Sequence, residues 1–138
     1  MRTRTLLGFL AGLFLLAAAL PSHAQFNFTA TTPFAFQVQG KQFPAGKYVF
    51  KQEGANRPFT ITSSKGNLTG SFEANFEKSE HPMEKPHTEL LFHRFGDKYF
   101  LAALFTHHMQ FLVGSSPAEK EFEKSGVSMT EVKLSIKM

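Results

Sequence analysis

Two hydrophobic patterns divide this chain. Residues 6–20 form an unbroken apolar run behind Arg2 and Arg4, whereas from residue 26 onward apolar and polar side chains mostly alternate with period two, as in half-buried strands. Phe26 and Phe28 alternate, and Phe34, Phe36 and Val38 do so beyond Pro33. Gln39-Gly40 and Phe43-Pro44-Ala45-Gly46 read as turns, with a strand over 47–52 after the second. The pattern breaks at 54–57. It resumes in Phe59-Thr60-Ile61-Thr62, turns at Lys65-Gly66-Asn67, and returns with Leu68, Gly70, Phe72 and Ala74 on one face. Residues 76–87, polar and holding Pro82 and Pro86, read as a solvated connection.

The strongest hairpin signal joins 88–95 to 98–105 through Gly96-Asp97, where Gly in first place suits a type II′ turn. Such a turn sets Phe95 opposite Lys98, Arg94 opposite Tyr99, His93 opposite Phe100 and Phe92 opposite Leu101. One face then carries Leu90, Phe92, Leu101, Ala103 and Phe105, and the other Leu91, Phe95, Phe100, Ala102 and Leu104 with Glu89, His93 and Lys98. A hairpin apolar on both faces predicts cover on both, by sheet on one side and another element on the other. A cover follows at Ser116-Pro117-Ala118-Glu119, a capping box opening a short helix with Ala118 and Phe122 as its apolar stripe and Gly126 as its stop. Val132, Leu134 and Ile136 alternate in a last strand. The predicted fold is mostly β, an antiparallel sandwich or flattened barrel of about eight strands with one short C-terminal helix.

The apolar run changes the picture of the N-terminus. A positive start, fifteen apolar residues and the small residues Ser22 and Ala24 before Gln25 form the pattern of a signal peptide over residues 1–24, and about 20 apolar residues would be needed to span a membrane. Residues 25–138 are then one exported β-rich domain, periplasmic or extracellular, with no stable membrane insertion after cleavage. Two of the fifteen basic side chains, Arg2 and Arg4, belong to the leader, leaving thirteen against eleven acids. Basic and acidic residues interleave, so nucleic acid is not an expected partner. With no Cys, disulfides and thiol chemistry are excluded. Fifteen of the seventeen Phe lie beyond residue 24 and must supply the core, each burying on the order of 150 to 250 Å².

Candidate chemistry is sparse. Asp97 is the single Asp, in a turn where Asp is common for conformational reasons, and no nucleophile elbow, phosphate-binding Gly loop or His-Glu-x-x-His helix occurs. The chain is therefore read as non-enzymatic, with no cofactor. His107-His108-Met109, with His81, His87 and His93, is the one metal hypothesis, weakened because adjacent His residues on a strand point to opposite faces. Glu89, His93, Phe95 and Phe100 share one hairpin face and are the candidate ligand-facing residues. The plainer reading of His93 is a partly buried ring held by a backbone carbonyl or a carboxylate.

Phe43-Pro44-Ala45-Gly46-Lys47-Tyr48, Leu91-Phe92-His93-Arg94-Phe95-Gly96-Asp97-Lys98-Tyr99-Phe100-Leu101 and, more loosely, Ser116-Pro117-Ala118-Glu119-Lys120-Glu121 resemble motifs of a group of small exported bacterial β-rich proteins of unknown function. That group pairs a Leu-Pro-Ala-Gly-x-Tyr turn with a Phe-x-Arg-Tyr-Gly-Asp-x-Tyr-Phe-Leu hairpin; Phe43 and Phe95 here replace its Leu and Tyr. The resemblance implies a bacterial source and a compact β domain and carries over no catalytic residue. The function expected is an exported module binding a small apolar ligand or a protein partner. The alternative is an envelope assembly component joined through an exposed strand edge over residues 26–36.

Overall fold

The computed structural model describes residues 26–54, 56–78, 87–106 and 109–136. The leader, the connection over 79–86 and the His107-His108 pair, with the export and metal expectations attached to them, lie outside the described residues. The elements are β1 (Phe26–Thr32), β2 (Phe36–Val38), β3 (Lys41–Phe43), β4 (Gly46–Gln52), β5 (Phe59–Ser63), β6 (Thr69–Phe72), β7 (Ala74–Lys78), β8 (Thr88–Phe95), β9 (Lys98–Phe105), β10 (Met109–Val113), α1 (Pro117–Lys124) and β11 (Met129–Ile136). They form a four-stranded sheet in the order β1-β4-β5-β6 and a larger one in the order β11-β8-β9-β10-β7. The β2–β3 hairpin joins the larger sheet through a parallel Gln37↔Phe100 pair beside the first half of β9. The sheets do not close into a barrel. Of the two predicted architectures, the sandwich is the one formed.

Eleven strands stand among the described residues where about eight were expected. Three departures explain the difference. β3 is only three residues long, too short to show alternation. β10, Met109-Gln110-Phe111-Leu112-Val113, was hidden behind the two His residues before it. The predicted return strand through Leu68 and Ala74 is cut at Glu73, where the chain leaves the small sheet as β6 and enters the large one as β7, part of which was assigned to the connection. Gln39 pins that corner: its Nε2 donates to Glu73 O at 3.2 Å and its Oε1 accepts from Glu73 N at 3.3 Å. Gln39 reaches there because the β2–β3 turn holds it at φ 47° and Gly40 at φ 88°, the two positive angles of a type I′ turn.

The β8–β9 register is as the turn predicts, from Phe95↔Lys98 to Phe92↔Leu101, with Gly96 at φ 62°. Beyond Phe92 it shifts by one, Leu91 pairing with Ala103 and Leu90 with Leu104, which leaves Ala102 as a bulge. The expected faces are thereby corrected. Leu104 joins Leu90, Phe92 and Leu101 in the core, while Ala103 moves to the opposite face with Leu91.

The core between the sheets is aromatic. Phe36 stacks on Phe43 at 5.3 Å and meets Phe92 edge-on at 5.5 Å, while Phe59 stacks on Phe72 at 5.3 Å and meets Phe111 edge-on at 5.0 Å. Such pairs add about 0.5 to 1.5 kcal/mol each to the burial of the rings. Tyr48 is buried among them and its hydroxyl donates to Pro44 O, tying β4 to the preceding turn; burial raises its phenol pKa above 10.0. Gly70 gives the rings room, since a Cβ there would lie 2.8 Å from Phe43 Cζ.

Candidate functional site

The second face of the β8–β9 hairpin is covered by α1, as its doubly apolar pattern predicts. Ser116 caps the helix, its Oγ accepting from Glu119 N at 3.3 Å, and Pro117 occupies the first turn. The anticipated stripe is half right. Phe122 stacks on Phe95 at 5.6 Å and tilts over Phe100 at 6.0 Å, but Ala118 is exposed and the buried helical residue is Glu119, 3% exposed.

The expected capping box does not close: the Glu119 carboxylate makes no hydrogen bond back to Ser116 N and turns to the sheet instead. Its Oε1 lies 2.7 Å from His93 Nδ1. A carboxylate has only acceptors, so Nδ1 carries the hydrogen and donates. Buried ionisable groups are retained when paired and hydrogen-bonded, and this contact is the polar latch of α1 on the sheet.

Of the four predicted residues, the fold brings His93, Phe95 and Phe100 together beneath α1 and leaves Glu89 apart. Glu89 Oε2 pairs with His87 Nε2 at 3.3 Å, toward the other end of β8. Phe95 and Phe100, each 2% exposed, pack against Phe122 and so fill the space under the helix. Glu119 was the residue missed. Its signal was present in the capping box, but its partner is 26 positions away and became visible only when the helix folded back. Arg94 lies over the Tyr99 ring at 5.6 Å, and Phe34 stacks on the same ring at 3.9 Å, a cation and ring cluster near the turn end of the hairpin.

A second feature lies at the sheet border. Among the described residues β1 pairs only with β4, so one side of its backbone has no strand partner among them. The sequence Phe26-Asn27-Phe28-Thr29-Ala30-Thr31-Thr32 has no charge, Pro or Gly. The other borders among the described residues are guarded: β11 carries Glu131 and Lys133, β7 carries Glu77 and Lys78, β6 has only four residues, and β3 has three and carries Lys41. The expected edge over 26–36 is shortened, because β2 pairs on both sides, with β3 and with β9.

No helix among the described residues is long and apolar enough to cross a membrane, and no group of three or more His, Asp or Glu among them could hold a metal ion. No family model, curated protein or solved structure matches the chain.

Proposed function

We propose that this chain is an exported, non-enzymatic β-sandwich module that binds a protein partner by strand addition along β1. The observation that carries the reading is the seven-residue uncharged edge of the small sheet, where the other edges among the described residues are short or charged. An unguarded edge offers backbone hydrogen bonds to an incoming strand, while Asn27, Thr29 and Thr31 stay exposed on the outer face. The signal-like leader and the likeness to small exported bacterial proteins support an envelope setting for that partner. A photo-cross-linking residue at position 29 in the producing cell should trap a defined adduct, one at position 62 should not, and Thr31→Lys should abolish the adduct. Equal trapping at both positions, or none, would overturn the reading.

Binding of a small apolar ligand has its own support. Phe76, 57% exposed, and Met109, 36% exposed, stand on the neighbouring strands β7 and β10, and the Phe76 ring lies 5.8 Å from Phe111, which in turn lies 5.7 Å from Phe26. Native mass spectrometry of the purified protein should then show a bound small molecule that disappears in Phe76→Ser.

A further inference from the structure

The outer face of the four-stranded sheet belongs to neither the ring core nor the β1 edge. Register places Asn27, Lys51, Thr60 and Ser71 in one row across it, and Thr29, Val49, Thr62 and Thr69 in the next. None of the four strands carries an acidic residue, and none puts an aromatic ring on this face. Beside the two central positions of the first row, toward the β4–β5 connection, opens a cleft of about 340 Å³ lined by Lys51, Glu53, Arg57, Pro58 and Thr60. The Lys51 ammonium and the Arg57 guanidinium make no ion pair or hydrogen bond with the described residues.

The hydroxyl protons are already committed. Thr60 Oγ1 donates to Lys51 O at 3.3 Å and Thr69 Oγ1 to Ile61 O at 3.2 Å. Thr69 has one proton, so in its 3.0 Å contact with Thr62 the donor is Thr62. Each of these oxygens therefore turns acceptor lone pairs outward, beside cations without a partner among the described residues. A ligand matching both must bring hydroxyl donors and negative charge together.

We propose that this face and its cleft bind an acidic polysaccharide, with Lys51 and Arg57 taking a carboxylate of the glycan and the Thr60, Thr62 and Thr69 oxygens accepting from its hydroxyls. Glu53 at the rim accepts from a sugar hydroxyl in the same way and repels an anion that has none. Single-stranded nucleic acid fits poorly, since no ring here provides a stacking platform. An acidic peptide would satisfy the cations and leave the acceptor row unused.

Affinity electrophoresis of the purified protein in gels containing polygalacturonate, dextran or polyglutamate tests the assignment. Polygalacturonate should retard the protein most, less so as salt is raised, and K51E/R57E should weaken that retardation about tenfold or more, equivalent to roughly 1.4 kcal/mol. T60V/T62V should weaken binding to polygalacturonate and leave any binding to polyglutamate unchanged. These side chains are exposed or half-buried, and an unchanged melting temperature shows that the variants fold. No retardation by polygalacturonate, equal retardation by polyglutamate, or undiminished binding in K51E/R57E would overturn the proposal.

Discussion

The two faces of the β8–β9 hairpin are both aromatic, yet they are held in different ways. On the inner face Phe92 and Leu101 lie in the buried apolar core, where Phe92 meets Phe34 and Phe36 edge-on. On the outer face Phe95 and Phe100 meet one ring, Phe122, on an eight-residue helix whose buried position is a carboxylate. The inner contact is non-directional and grows with area removed from water. The outer one depends on a single hydrogen bond and an N-cap. An isolated helix of this length is marginal in water, so α1 persists only while it is docked.

The contrast can be broken most severely from the inside. Phe92→Ala should cost about 3 to 5 kcal/mol by chemical denaturation, because the cavity it leaves is walled by rigid rings. On the outer face His93→Ala should cost about 1 to 3 kcal/mol, since it strands the Glu119 carboxylate beneath the helix, and Glu119→Ala should cost less, since the His93 ring left behind is 25% exposed and reaches water. The opposite ranking would show that the latch is not what holds α1. Ser116→Ala should cost about 1 kcal/mol through the lost cap, with faster amide exchange confined to α1. Combined with Phe92→Ala it should be additive to within about 0.5 kcal/mol, as expected of sites on opposite faces without shared partners.

The smallest effect concerns pH. Burial raises the folded phenol pKa of Tyr48 above 10.0, so its contribution is fully present below that value and is lost as pH climbs through the folded value. Alkaline titration of stability should therefore fall more steeply in the wild type than in Tyr48→Phe, which itself loses about 1 kcal/mol with the bond to Pro44 O. Identical profiles would remove Tyr48 from the account.

Much of this was legible in the residues alone. The Gly96-Asp97 turn dictated the register down to Phe92↔Leu101, and apolar residues on both faces of the hairpin required a cover that Ser116-Pro117 duly starts. Alternation and turn chemistry are local, so they survive in a linear reading. The bulge at Ala102, the sheet change at Glu73 and the reach of Glu119 to His93 were not legible. Nor was the unguarded state of β1, because whether a strand is an edge depends on which strands lie beside it. The sequence by itself determined a cysteine-free, phenylalanine-filled β fold with one capped helix. Only the tertiary structure decided which rings meet, which border stays open and where the threonine oxygens point, since those follow from pairings between residues tens of positions apart.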